Sequence, residues 1–571
     1  MNKINDNKHY SKRKKIQVIS NNYEDEALLE RVSNQEEEGM IFIAASGVEQ
    51  IGMNLNIFGY KGKFIIVDVG ISFTELGSGI MLPSMNILQE LGEENILAYL
   101  ITHAHEDHIG GLCRFLKGMH KPIYSTQFTM CIIEEKLKEN NIKNTERIIV
   151  KPNEVFNIGD FEINFTNTTH SIPDSNHIII KTPHGTVFHT GDWKFDTDPV
   201  LGHPPDKQYL AHLGEKYNIT ALINDSTNAH EFKRIGTEME AQQGLRQHIK
   251  DESNKKHRII VTCFSSNLAR ITSLQTIAKE TGRTMVLIGR SLLKMVTIAI
   301  RLKLLSGDNI VLDAKKAAHL EPAKTLYVCT GSQGELNSVL QRCALNLHPV
   351  LKMNKGDVII FSARLIPGNE IEITALKNAF LAKGIKIIDH NTANENYNVI
   401  HVSGHPGQED IIDMVNLVKP DYVIPVHGDL THLIAIENLM EKIQCPCVLP
   451  KGNGTVFRIH NKDGVEIIGK FKTHIEVVDG NLTYPIHDDI FKQRATLNEN
   501  GVILVIINRR RGHFSFNYGA VSRDEWEHLR SNIYKLIDNS EMTDMEKIRN
   551  DISYWIYKKY DKNPILILYI V

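Results

Sequence analysis

The sequence predicts a mixed α/β (α+β) protein: a β-rich sandwich with helices added, interrupted by a parallel α/β unit and closed by a small α+β unit. Three textures along the chain carry that expectation. From Ile41 onward, short apolar runs recur between turn residues. Near 230–365, apolar strands alternate with helical stretches. The C-terminal segment holds two helical stretches followed by an apolar strand. A length of 571 residues suits roughly three or four structural units, because a single core rarely grows past about 250–300 residues.

Taken in order, residues 1–38 read as a flexible tail. It has a basic run at Lys12, Arg13, Lys14 and Lys15 and an acidic end at Glu36, Glu37 and Glu38. The basic run suits either a solvated tail or an arm contacting nucleic acid. The sandwich strands begin at Ile41–Ala45, Phe64–Val69, Ile96–Ile101, Ile178–Ile180 and Thr186–His189, with a hairpin turn at Gly62–Lys63. The inserted unit alternates strands Ile259–Thr262, Thr284–Ile288, Thr325–Cys329 and Val358–Phe361 with helices such as Leu268–Lys279 and Ser291–Leu305. A helix at Glu409–Val418 and a strand at Tyr422–Val426 follow. Helices Arg523–Leu536 and Met545–Lys559 and strand Pro564–Val571 end the chain. The expected boundaries are 39–228 and 368–455 for the two parts of the sandwich. The insertion spans 229–367, a linker 456–470, and the C-terminal unit 471–571.

Composition narrows the class. Hydrophobic residues make up 42% and charged residues 23%, as in ordinary soluble proteins. No run of 18 apolar residues and no apolar leader occurs, so no membrane partner and a cytoplasmic location are expected. The net charge of −3 neither demands nor excludes a nucleic-acid partner, since polyanion binding needs only a local basic surface. Seven scattered cysteines do not make a disulfide framework, and Cys445-Pro-Cys447 is not a usual zinc spacing.

Histidine placement carries the chemistry. Thr102-His-Ala-His-Glu-Asp-His-Ile-Gly-Gly111 offers His103, His105, Asp107 and His108 directly after an apolar strand. Residues two apart at a strand end project to one side, so His103 and His105 can share one metal ion. Asp107 and His108, one turn on, can address a second. Imidazole with carboxylate suits zinc. His170, Asp192 and His427 each follow a probable strand, where loops carry function on a rigid scaffold. Asp68, in Ile-Val-Asp-Val-Gly, is placed to orient a ligand histidine.

His-x-His-x-Asp-His, then His, then Asp, resembles the metallo-β-lactamase superfamily and implies its αββα sandwich. By that resemblance His103, His105 and His170 hold one zinc, Asp107, His108 and His427 the other, and Asp192 bridges both. The long insertion after Asp225 resembles the β-CASP nucleases. Ser403-Gly-His405 and Pro425-Val-His427-Gly resemble two of that group's later motifs. Within the group the sequence is most similar to the ribonuclease J family. That likeness rests on Asp225-Ser-Thr-Asn228, Phe264-Ser-Ser-Asn267, Gly289-Arg-Ser291, Thr330-Gly-Ser-Gln-Gly-Glu335, Ile366-Pro-Gly-Asn-Glu370 and His401-Val-Ser-Gly-His405.

The resemblance implies a zinc-dependent ribonuclease with two Zn2+ per chain, manganese or magnesium being the alternatives. The implied activity is 5′-to-3′ exonuclease action on single-stranded RNA with a preference for 5′-monophosphate ends, some endonuclease action, and a role in RNA processing and decay. Homodimers or homotetramers and other RNA-decay proteins as partners are implied as well. Catalytic roles fall to His405 as proton donor, Asp192 and Asp68. The loops Thr330–Glu335 and Ser403–Gly407 follow strands and are rich in small residues. They read either as phosphate nests, through Ser332, Gln333, Ser403, Gly404, His405 and Gly407, or as ordinary turns. Arg290 and Arg364 suit either phosphate pairing or structural ion pairs. Glu49, Gln50, Pro406 and Gly407 depart from the family's usual residues, which bears on loop geometry near the metals. The competing readings are a β-CASP nuclease acting on DNA or pre-mRNA ends, and a non-catalytic RNA-binding partner subunit of a ribonuclease complex. A small-molecule hydrolase of this fold would not need the insertion.

Overall fold

A computed structural model describes residues 22–33, 38–253, 257–366, 368–395, 399–508, 513–519, 523–538 and 545–570. The basic run at 12–15 lies outside them. The chain divides into two units: residues up to 72 with 82–474, and residues 73–81 with 475–571.

The first unit contains a sandwich of two sheets. One has eight strands in the order Gly464–Lys470, Thr455–His460, Met40–Ser46, Leu55–Tyr60, Lys63–Val67, Ile96–Leu100, Ile123–Ser125, Arg147–Ile149. The other has six, in the order Tyr422–Val426, Ala221–Asp225, Gly185–His189, Ser175–Thr182, Phe161–Thr168, Val155–Ile158. Strand side chains alternate between faces, and here both faces of the second sheet are buried. Ile178, Ile180, Ile223 and Ile424 point into the shared core with Phe42, Phe58, Val67 and Leu100. Ile179, Leu222 and Val423 point outward, under helices Lys207–Tyr217, Gln408–Val418 and Leu430–Lys442. That alternation yields the expected αββα layering.

The insertion is a six-stranded parallel sheet, ordered Ile310–Val311, Thr284–Ile288, Thr325–Cys329, Ile259–Thr262, Val358–Phe361, Lys386–Ile388. Parallel strands need crossovers, and helices such as Leu268–Glu280 and Arg290–Arg301 supply them.

The second unit has a three-stranded sheet, with Val502–Asn508 central between His513–Gly519 and Ile565–Ile570. Helices Arg523–Asp538 and Met545–Tyr560 cover it through Trp526, Ile533, Ile552 and Ile556.

Four expectations are corrected. Residues 22–33 of the expected tail form a helix, Asn22–Ser33. Its Leu28 and Val32, one turn apart, are buried, Leu28 against the bare backbone of Gly469. The expected linker 456–470 is mostly a hairpin of the eight-stranded sheet, Thr455–His460 pairing with Gly464–Lys470. The inserted sheet runs past 367, because Lys386–Ile388 pairs with Val358–Phe361. The first hairpin turns at Lys61–Gly62, both with positive φ (49° and 65°), since Tyr60 pairs with Lys63. All seven cysteines are free.

Candidate metal and phosphodiester site

The loops at one end of the sandwich bring nine side chains together. His103, His105, His170 and Asp192 form one group of potential metal donors. Asp107, His108, Asp192 and His427 form a second, and Asp192, Asp225, His405 and His427 a third. Within each group the donor atoms lie within 4.8 Å of one another. Asp192 belongs to all three. Its Oδ2 is 3.7 Å from His103 Nε2, 3.7 Å from His170 Nε2 and 3.2 Å from His108 Nε2, and its Oδ1 is 3.5 Å from His427 Nδ1.

Backbone close to the site holds this geometry. Strand Lys63–Val67 ends in Asp68, whose φ of 63° turns the chain sharply. The next residues clamp the histidine loop: Val69 N–H donates to His108 O at 2.7 Å, and Ile71 N–H to Glu106 O at 3.1 Å. Gly70 is required there, because a Cβ would sit 1.7 Å from Asp107 O. On the other side His427, at φ 55°, donates its N–H to Gly47 O at 2.7 Å. The Ser46–Gly52 loop therefore buttresses His427. Its Glu49 stands at φ 57°, a conformation that favours a small residue, and Gln50 bonds Ser46 Oγ at 2.9 Å.

Each histidine has a partner on its outward nitrogen. His108 Nδ1–H donates to Asp68 Oδ2 at 2.7 Å, while Asp68 also accepts from Thr102 N and Oγ1. His170 Nδ1–H donates to Gly404 O at 2.7 Å. His103 Nδ1 meets Thr102 Oγ1 at 3.0 Å, and His105 Nε2 meets Ser266 Oγ at 3.0 Å. His427 Nδ1 lies 2.8 Å from Thr227 Oγ1 and 3.3 Å from Asp225 Oδ1. Such outer bonds fix ring orientation and tautomer in metal sites.

The electrostatics suit a cation. Burial, reinforced by neighbouring imidazoles, drives His103 and His170 well below the usual histidine range and His105 down to about 4. These rings are neutral and keep a lone pair to donate. Burial also pushes His108 and His427 down, but carboxylates, Asp192 foremost, outweigh it; His427 is raised to about 10. Around this second pair the carboxylates leave excess negative charge that a dication would neutralise.

The other sequence-selected residues are distributed differently. His405 stands beside the donors, its Nδ1 2.8 Å from Asp225 Oδ2. Ser403 Oγ accepts from Asn228 Nδ2 at 2.8 Å. Two expected phosphate contacts, Gly407 and Gln333, are engaged within the protein in this structure. Gly407 N–H is directed at Asp410 Oδ2 (3.2 Å), and the residue packs so closely on Lys233 O that a Cβ would lie 2.0 Å away; it caps helix Gln408–Val418. Gln333 is buried, and its amide ties down residues 364–366, donating to Arg364 O at 2.9 Å and accepting from Ile366 N at 3.0 Å. Its own N–H faces Glu335 Oε2 at 3.2 Å. Ser332 is buried beside it. Arg364 is exposed and pairs with Glu231 at 2.8 Å. Arg290 is exposed at the first turn of Arg290–Arg301. Asp225 and Ser266 were not among the selected site residues. Asp225 ends an apolar strand, as Asp192 and His427 nearly do, and that position was the available signal.

Comparisons with known proteins agree with this geometry. A β-lactamase superfamily domain matches residues 65–206, the ribonuclease J β-CASP domain 256–380, and a Zn-dependent metallo-hydrolase RNA specificity domain 393–450. Ribonuclease J of Sinorhizobium meliloti is 35% identical over 432 residues, covering 74% of this chain and 75% of that protein. Ribonuclease J of Thermus thermophilus is 30% identical over 543 residues, covering 90% and 91%. Ribonuclease J 1 of Streptococcus pyogenes is 33% identical, covering 81% and 82%. A solved structure of a protein of unknown function from Enterococcus faecalis superposes with a TM-score of 0.52 at 16% identity, covering 74% of this chain and all of that one, a likeness of fold alone.

Proposed function

Because the chain belongs to the ribonuclease J family and is a metal-dependent ribonuclease, we propose that it is a two-zinc 5′-to-3′ exonuclease on single-stranded RNA. It favours 5′-monophosphate ends and also cuts internally. The observation that carries this reading is the sharing of one buried carboxylate, Asp192, by two His/Asp donor groups. His103, His105 and His170 would hold one ion and Asp107, His108 and His427 the other, with Asp192 between them. Imidazole and carboxylate donors fit zinc, with manganese or magnesium as alternatives.

When bound, such ions act as Lewis acids toward a phosphate oxygen and make an attacking water more acidic. The chain's own residues do the rest. Asp68 orients His108. Asp225 accepts from His405 Nδ1–H, leaving Nε2 to protonate the departing 3′-oxygen. Burial alone would strip His405 of its proton; Asp225 and then Asp192 outweigh burial and keep it. Ser403 and the backbone of Gly404 flank the position of the phosphate. A terminal phosphate would be met by Ser332, Arg290 and Arg364, with Arg364 exchanging Glu231 for a charge-assisted fork.

Family membership further supports a homodimer or homotetramer formed partly through residues 471–571, other RNA-decay proteins as partners, and a cytoplasmic location. Among the described residues no helix is long and apolar enough to cross a membrane. One assay tests the reading: a single RNA carrying a 5′-monophosphate, 5′-triphosphate or 5′-hydroxyl, with and without chelator. Mononucleotides should appear fastest from the monophosphate, and chelator should stop all cleavage. Equal rates on the three ends would remove the end preference. Exclusively internal fragments would remove the polarity, and cleavage in excess chelator the metal requirement.

A further inference from the structure

Five histidines carry the proposed metal donors, and their outward partners have different origins. Asp68, Thr102, Thr227 and Asp225 belong to the sandwich, as does Gly404. His105 differs. Its Nδ1 faces the cluster, 3.1 Å from His103 Nε2 and 3.0 Å from His170 Nε2, so its Nε2 must look away from an ion. The group that Nε2 meets is Ser266 Oγ at 3.0 Å, and Ser266 belongs to the inserted α/β unit.

The loop bearing Ser266 is firmly built. It follows strand Ile259–Thr262 and leads into helix Leu268–Glu280, whose first turn is capped by Asn267 Oδ1 accepting from Arg270 N–H at 2.9 Å. Leu268 N–H also donates to Ser266 O at 2.8 Å. Arg270 is fully buried and fastens the helix start through Glu238 Oε2 at 3.0 Å, Ile400 O at 2.7 Å and Ser362 Oγ. A hydroxyl held this firmly in place can accept from His105 Nε2–H, which holds the ring with its Nδ1 lone pair directed at the ion.

We propose that Ser266 is a positioning residue for His105, so that the inserted unit supplies part of the metal affinity of the sandwich. This rests on the metal-binding reading above. Removing the hydroxyl leaves the ring free to rotate or to adopt the other tautomer, and one of the two ions is then held less tightly.

The test is zinc affinity of the full chain, measured by competition with a chromophoric chelator, for the unmodified protein, Ser266→Ala, Ser266→Thr and Asp68→Asn. Thermal unfolding of each metal-free protein is followed in parallel. Ser266→Ala should weaken one of two zinc sites by about 10–100-fold, as loss of such partners does elsewhere. Ser266→Thr, which keeps the hydroxyl, should restore it, and the metal-free unfolding temperatures should agree. Unchanged zinc affinity in Ser266→Ala, while Asp68→Asn weakens binding, would overturn the proposal and leave the metal reading intact. A weakened site that Thr does not restore, with a lowered metal-free unfolding temperature, would also overturn it, as general loosening. An unmodified protein that takes up no divalent metal would sink the metal reading and this proposal together.

Discussion

His405 Nδ1 lies 2.8 Å from one oxygen of Asp225, and His427 Nδ1 lies 3.3 Å from the other. One buried carboxylate thus holds two rings for which different duties are proposed. Asp225→Asn keeps the shape and removes the charge. RNA cleavage should fall about 10–100-fold, the usual cost of losing a group that orients a metal ligand. Single-turnover rates check this, and an unchanged rate would separate Asp225 from the chemistry.

His405→Ala separates proton donation from metal binding. The rate should fall roughly 10²–10⁴-fold while RNA affinity and metal content are retained. Loss of metal from this variant would instead make His405 a ligand, within the group it forms with Asp192, Asp225 and His427.

Asp192→Ala removes the carboxylate common to all donor groups. Elemental analysis should find metal content reduced from up to two ions per chain, with activity largely lost. Circular dichroism of the variant should match the unmodified protein. An active variant with full metal would end the bridging role.

Gly404→Ala introduces a Cβ only 2.7 Å from His170 Nδ1. The ring and the loop cannot both stay, so metal affinity and rate should drop together. Normal metal affinity in this variant would mean that the 403–405 loop yields instead of the ring.

Gln333→Ala leaves Ile366 N–H and Arg364 O without their amide partner. A loss of about 0.5–1.5 kcal/mol is expected, the net worth of such hydrogen bonds where water can reach the freed groups. Urea unfolding measures it. A stability change near zero, coupled with loss of the 5′-end preference, would return Gln333 to the substrate.

Much of the cluster of potential metal donors was legible because its residues sit at or just past strand ends, and a short period of two fixes which way they project. The roles of Asp225, Gly407 and Gln333 were not. The partners of Asp225 lie 180 and 202 residues downstream, beyond any local pattern. A Gly-rich loop after a strand looks the same whether its N–H groups face a phosphate or a carboxylate. At Gly407 and Gln333 the carboxylates of Asp410 and Glu335 occupy that place. The hairpin at 455–470 was missed for a related reason. Its strand Thr455–His460 pairs with Met40–Ser46, from the opposite end of the chain. Helix Asn22–Ser33 was hidden by its charges, which leave only Leu28 and Val32 as deeply buried side chains among those described.

The pairing of Ala221–Asp225 with Tyr422–Val426 bears on how the protein is made. Until the later strand emerges, Ala221–Asp225 is the outermost strand of its sheet, with its backbone groups unpaired on one side. At about 5–20 residues per second, a ribosome needs roughly 10–40 seconds to deliver the missing partner. During that interval the nascent chain carries an open, apolar sheet edge and lacks His427. On the proposed two-ion reading the chain emerges without its last metal donor, His427, which arrives in the same step that seals the edge.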